Sequence, residues 1–178
     1  MLAIAPDSDW MNVYNNIPIL KFSDGVTKEH AAYKGEKIKQ GDVNLLSYPL
    51  KEITDPATVK KDLEYYEPRV GEGPAMTHAI FAILYSRLGN PEKAFKAFKA
   101  GYTPNMRPPF GVIAETATGN NPYFSTGAGG MIQAMLNGFG GLEITTGGIT
   151  QLKTYLPSQW KSLQLTGIGL EKKTFTVK

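Results

Sequence analysis

The sequence predicts a mainly α-helical protein with a β-strand C-terminal end, and three observations carry that reading. Apolar residues recur at helical spacing through residues 56–99, with Val59, Leu63 and Tyr66 on one face and Met76, Ile80, Ile83, Leu84 and Leu88 on another. Start and stop signals sit at the ends of these runs, Asp55-Pro56 and Asn90-Pro91 before them and Gly89 after. Beyond residue 141 the period changes to alternation, in Leu142-Glu143-Ile144-Thr145. The helical part is expected over residues 1–141 and the strand part over 142–178, with no flexible linker between them.

Taken in order, residues 9–20 read as a short helical or irregular piece that Asn15, Asn16 and Pro18 stop. Residues 21–38 are mixed polar, with Gly25 and Gly35, and read as loop with short extended pieces. A helix is expected over 42–49, with Asp42 as its cap and Pro49 limiting its end. Asp55 and Pro56 open a second over 56–66, and Gly71-Glu72-Gly73-Pro74 is a tight connector. The helix expected over 75–88 has the clearest stripe in the chain. Its successor over 91–99 turns Ala94, Phe95 and Phe98 inward and Lys93, Lys96 and Lys99 to solvent, so the two form an αα-hairpin. Residues 103–109 are a Pro-rich linker, and 126–138 are apolar on nearly every face, as in a buried helix. Short strands follow at 142–145, from Ile149 to Leu156, and through Leu163, Leu165 and 174–177, forming a sheet against the helices.

Composition excludes several functions. Apolar content of 42% and charged content of 20% are those of a globular protein, and no apolar run approaches the roughly 18 residues of a membrane span. Net charge is +3, from 19 basic and 16 acidic side chains. The lysines are dispersed among acids, which argues against a nucleic-acid partner. MLAIAPDSDW has neither a charged leader nor a long apolar core, so no signal peptide is visible. Without cysteine there is no disulfide or thiolate chemistry, and two histidines, His30 and His78, are too few for a usual zinc site. His78, beside the 75–88 stripe, reads as a packing or surface residue, and no metal or cofactor is expected.

One stretch, Gly111–Leu142, stands apart. Glu115 is its one carboxylate, with no other acid between Glu92 and Glu143 and no Lys or Arg between Arg107 and Lys153. Thr116, Thr118, Asn120, Asn121, Tyr123, Ser125 and Thr126 surround it with small hydrogen-bonding groups, and Gly127-Ala128-Gly129-Gly130 permits close backbone approach. A lone acid on a neutral polar loop is either a loop acid in water or a group held in a pocket. Lys39 and Gln40, at the entrance of the 42–49 helix, are a solvated turn or a pair pointing into a shared cleft.

Three motifs in order decide between these readings: Lys39-Gln40-Gly41-Asp42-Val43, Asp62-Leu63-Glu64-Tyr65-Tyr66-Glu67-Pro68-Arg69 and Asn137-Gly138-Phe139-Gly140-Gly141-Leu142. With the tail Leu156-Pro157-Ser158-Gln159-Trp160-Lys161-Ser162-Leu163, this set resembles the C-terminal part of glycoside hydrolase family 65 over residues 36–170. EYYEPR or NGFGG alone is a weak signal; the ordered set is specific. The resemblance implies the C-terminal portion of an (α/α)6 barrel followed by a small antiparallel β domain. It also implies an inverting α-glucoside hydrolase acting on a disaccharide or a glucosylated acceptor, such as an α-1,2-glucobiose or trehalose.

By that resemblance Lys39 and Gln40 hold the glucose unit, and Glu115 is the general base that activates water opposite the leaving group. The family's phosphorolytic members have a histidine in the Glu115 region and a Ser-rich loop after EPR. Here no histidine follows His78, the loop reads Gly71-Glu72-Gly73-Pro74, and an anionic Glu115 would repel phosphate, so water is the expected acceptor. The family's general acid precedes the KQ motif, whereas none of Asp7, Asp9, Asp24, Glu29 and Glu36 lies in its acid motif, and the helices are too few to close a barrel. The chain therefore reads as the C-terminal piece of a larger enzyme, with the remainder of the barrel as its partner. The alternatives are a non-catalytic module stacking sugars on Trp10, Tyr65, Tyr66 and Tyr123, and a phosphorylase.

Overall fold

Between Ala75 and Ser86 the chain carries no Asp, Glu, Lys or Arg, and this run forms α4 (Ala75–Arg87), about which the other elements gather. The computed structural model describes residues 5, 7–71, 75–119, 121 and 123–178. Residues 72–74 of the connector expected over 71–74, and Asn120, lie outside the described residues. Four helices precede or flank α4 in the chain: α1 (Ser8–Asn16), α2 (Asp42–Leu45), α3 (Pro56–Tyr66) and α5 (Pro91–Tyr102). A single stripe was expected of α4, but Thr77, Ala79 and every residue from Phe81 to Ser86 are buried. The small residues Ala79, Ala82 and Ser86 let neighbours cover the faces between the large ones, while Met76, Ile80 and Leu88 of the expected stripe are only half-buried.

The flanking helices start where local chemistry says they should. The Asp55 carboxylate accepts from Thr58 N–H at 2.9 Å and Pro56 occupies the first turn of α3, whose Val59, Leu63 and Tyr66 enter the core. Asn90 caps α5 by accepting from Lys93 N–H at 3.1 Å. Alternating small residues on α5 then meet α4, with Ala94, Ala97 and Gly101 buried. A Cβ on Gly101 would stand 2.6 Å from Met131 Cε and 3.2 Å from His78 Cβ, so three helices meet there only because the side chain is missing. Lys96 and Lys99 face solvent as expected, whereas Lys93 is half-buried, 3.7 Å from Glu64 and 5.1 Å over the Tyr85 ring.

Two helices differ from the sequence expectation. The helix expected over 42–49 ends at Leu45, and Asp42 is its first residue rather than its cap, a position held by Gly41 without a side-chain bond. Proline at 49 disfavours helical backbone at Tyr48, and the chain leaves through turns in which Asn44 O accepts from Ser47 and Tyr48 N–H. The helix expected over 126–138 is α6 (Ser125–Gln133) continued by a π-helical turn, Ala134–Phe139. It is not buried all round: Met131, Ala134 and Phe139 face the core, while Ile132 is 62% exposed. α1, capped by Asp7, has no buried residue.

The Pro-rich linker also proves ordered, with β1 (Met106–Arg107) pairing antiparallel with β2 (Val112–Ile113). Beyond residue 141, β3 (Leu142–Thr145) pairs with β4 (Gly148–Gln151), and β5 (Leu163–Ile168) pairs with β6 (Lys173–Val177), both antiparallel. The single sheet expected there is, among the described residues, two separate hairpins. The segment between them is held by the helices instead of by a ladder: Thr154 Oγ1 donates to Phe139 O at 2.6 Å, and the Trp160 ring packs 4.8 Å from Phe139 and 5.4 Å from Phe95.

Candidate carbohydrate site

The loop that carries Glu115 runs from β2 to the first turn of α6. Its entry is fixed by Ala114 N–H donating to Asn105 O at 2.8 Å, and its exit by Phe124 N–H donating to Ile113 O at 2.8 Å. Ala114 is fully buried, while the Glu115 side chain that follows is 34% exposed. The Glu115 carboxylate accepts from Asn121 Nδ2 at 3.2 Å and lies 3.9 Å from Lys39 Nζ. Residues 40–114 intervene in the chain, yet acid and amine approach within 3.9 Å.

Lys39 is brought there by the second motif. Ile38 N–H donates to Arg69 O at 3.0 Å and Gly71 N–H to Ile38 O at 2.9 Å, which ties the Lys39 loop to the end of the EPR turn. That turn is rigid: the Arg69 guanidinium lies 3.6 Å from the Tyr65 ring centroid, and Glu67 accepts from Tyr85 OH at 2.6 Å. Tyr66, fully buried, donates to Thr27 O at 2.6 Å, so the two tyrosines are framework rather than sugar platforms. Gly41 lets the loop press onto α4, where a Cβ would meet Phe81 at 3.1 Å and Thr77 at 3.3 Å.

With side chains 66% and 34% exposed and 3.9 Å apart, the Lys39–Glu115 pair is a weak, open one. Both groups keep hydrogen-bonding capacity for a ligand between them. Gln40 faces the neighbouring cleft of about 540 Å³ between α2, α4 and α6, together with Thr77, Thr126, Gln133 and Asn137. It also borders, with Lys39, a second hollow of about 380 Å³ lined by Glu29, Tyr33 and Asp42. Lys39 and Gln40 therefore share a wall, and it is Lys39 that reaches Glu115.

Glu29 is the residue that sequence reasoning passed over. Burial, and secondarily the negative charge of Asp42, push its carboxyl from 4.5 to about 7, against the stabilising Val43 N–H. One of its oxygens is buried without a hydrogen-bond partner among the described residues. In the sequence it is one acid among several in a polar loop; only the folding of residues 36–43 over it makes its surroundings unusual. His78 behaves as a packing residue, edge-on to Phe81 at 6.3 Å, its protonated form disfavoured by burial.

A half-buried carboxylate near an ammonium and bonded by one amide is a donor–acceptor set of the kind that polyhydroxyl ligands such as sugars use. The chain belongs to glycosyl hydrolase family 65: the model of that family's central catalytic domain matches residues 16–108, a span that includes Lys39 and Gln40 and stops short of Glu115. It is 66% identical over 180 aligned residues to a kojibiose hydrolase of Mucilaginibacter mallensis, covering 100% of this chain and 27% of that protein. It is 51% identical to a kojibiose hydrolase of Flavobacterium johnsoniae, covering 99% and 26%. A protein-glucosylgalactosylhydroxylysine glucosidase of Dictyostelium discoideum is 35% identical, covering 97% and 24%. The chain thus spans about a quarter of the length of these relatives.

Proposed function

We propose that this chain is the C-terminal part of an inverting α-glucoside hydrolase whose substrate is a glucose disaccharide such as kojibiose. Residues 1–141 contribute helices to an (α/α)6 catalytic barrel and residues 142–178 form its C-terminal β domain. Glu115 is the general base, Lys39 and Gln40 hold the glucose, and the general acid belongs to the rest of the barrel. The observation that carries this reading is the 3.9 Å approach of Lys39 Nζ to the Glu115 carboxylate. It brings near one another the two residue types that sugar binding and water activation need. The relatives' names support a hydrolase over a phosphorylase, as does the absence of any histidine after His78 in the sequence.

In this reaction the Glu115 carboxylate takes a proton from a water molecule as the water oxygen attacks the anomeric carbon. The partner acid protonates the departing glycosidic oxygen on the opposite side, so configuration inverts. Asn121 donates to one carboxylate oxygen, leaving the other, on the Lys39 side, to take that proton. Lys39 and Gln40 present donors and an acceptor to neighbouring sugar hydroxyls.

The test is Glu115→Gln in the full-length hydrolase that carries this chain. General-base assistance is worth roughly 100- to 10,000-fold, so kcat should fall by about that factor while substrate still binds. Azide added to Glu115→Ala should yield the β-glucosyl azide from an α-glucoside. The isolated chain should hydrolyse nothing above background. Unchanged turnover in Glu115→Gln, or full activity of the chain alone, overturns the assignment.

A further inference from the structure

The loop carrying Glu115 has little secondary structure of its own, and its shape comes from two side chains on the segment before it. Asn105, 4% exposed, donates from Nδ2 to Ala114 O and Glu115 O, both at 3.0 Å, while its own carbonyl accepts from Ala114 N–H. Arg107, on β1, donates from Nη2 to Thr116 O at 2.9 Å, Ala117 O at 2.6 Å and Gly119 O at 3.1 Å. Its Nη1 donates to Pro104 O and Met106 O at 3.2 and 3.1 Å. Among the described residues Arg107 meets no carboxylate.

A guanidinium is usually paired with a carboxylate or phosphate, because its planar fork matches two anionic oxygens. Here that fork is spent on main-chain carbonyls from both sides of one loop. Such an arrangement fixes the backbone on either side of Glu115: Asn105 holds residues 114 and 115, Arg107 holds residues 116, 117 and 119. Inside the loop a second bond, Gly119 N–H to Thr116 Oγ1 at 2.9 Å, closes the turn that Arg107 grips. The Glu115 side chain meets Asn121 and Lys39 only in the position this grip defines.

We propose that Arg107, seconded by Asn105, is a positioning residue that holds the Glu115 carboxylate in line for water activation. The proposal rests on the reading of Glu115 as the base. Among the described residues the Arg107 guanidinium bonds main-chain carbonyls and not the Glu115 or Lys39 side chain, so it acts through backbone placement. A carboxylate misplaced by about 1 Å loses on the order of 100-fold in turnover, while glucose, held by other residues, continues to bind.

The test is a double-mutant cycle in the full-length hydrolase, with Arg107→Ala made alone and on Glu115→Ala, the latter pair assayed with azide as nucleophile. On the parent, Arg107→Ala should lower kcat about 10- to 100-fold with KM changed less than about threefold, and Arg107→Lys should recover part of the loss. On Glu115→Ala, the same change should alter azide-supported turnover by less than about threefold, because the group being positioned is gone. Equal losses on both backgrounds would make Arg107 a structural residue and overturn the proposal, as would an unchanged kcat in Arg107→Ala. Should Arg107→Ala fail to fold, Arg107→Lys and Asn105→Ala are read in the same cycle against the same outcomes. An unaffected Glu115→Gln, by contrast, sinks the base assignment itself and is recognised before Arg107 is tested.

Discussion

Replacing Glu143 tests how the strands after residue 141 are fastened to the helices. The Glu143 carboxylate, on β3, accepts from Arg87 Nη1 at 2.8 Å and from Lys51 Nζ at 2.9 Å. Arg87, the last residue of α4, also lies 4.6 Å over the Tyr48 ring and donates from Nε to Asn137 O at 3.3 Å. The Glu143 and Arg87 side chains are both 16% exposed, whereas Lys51 is 47% exposed. The largely buried Arg87 bond is therefore worth about 1.5–3 kcal/mol, and the open Lys51 pair about 0–1 kcal/mol. Glu143→Ala removes both and strands the guanidinium, so unfolding free energy should drop by about 2–4 kcal/mol. Glu143→Gln keeps an acceptor for Arg87 and should cost about 1–2 kcal/mol. Lys51→Met should cost under about 1 kcal/mol and lose its effect in high salt.

Urea denaturation of the chain and its variants measures these values. A pH series adds a second check, because the Lys51 hydrogen bond and the Arg87 charge hold the Glu143 carboxyl below its usual value, against burial. A depressed carboxyl pKa contributes stability that is present above the ordinary value and lost as pH falls through the folded one. The parent should accordingly lose stability on acidification faster than Glu143→Gln. An unfolding free energy for Glu143→Ala within about 0.5 kcal/mol of the parent would refute the reasoning.

Two further outcomes are expected from buried acids. Asp62, 1% exposed, accepts from Thr27 N–H at 2.9 Å, and Asp62→Ala leaves that donor buried and unpaired at a cost of about 1–3 kcal/mol, with Asp62→Asn milder; equal denaturation midpoints for Ala and parent would contradict this. Glu29 has a raised carboxyl, from 4.5 to about 7, so the folded state holds its proton more tightly and stability should fall as pH rises through that window. Allowing for its partial exposure, that loss is on the order of 1–2 kcal/mol and should be absent in Glu29→Gln; parallel melting-temperature profiles for the two would count against it.

What could be read from residues alone is local in origin. Asp55 with Pro56 and Asn90 with Pro91 start α3 and α5 where expected, because a cap and a first-turn proline act on the few backbone groups beside them. Leu142-Glu143-Ile144-Thr145 and its turn form a hairpin for the same reason. Lys39, Gln40 and Glu115 were singled out through the order of motifs, not through their own chemistry, which is that of ordinary loop residues. Tertiary structure decided the rest. α4 is buried beyond its stripe because α5, α6 and the π-helical turn pack along it, a fact its stripe of large residues could not convey. The strands after 141 split into two hairpins because Trp160 and Thr154 hold the intervening segment on the helices. The apparent linker 103–109 became the clamp of the Glu115 loop because five carbonyls, from Pro104 to Gly119, converge on one guanidinium. A main-chain carbonyl carries no residue identity, so a bond to it leaves no mark in the sequence except the arginine that makes it.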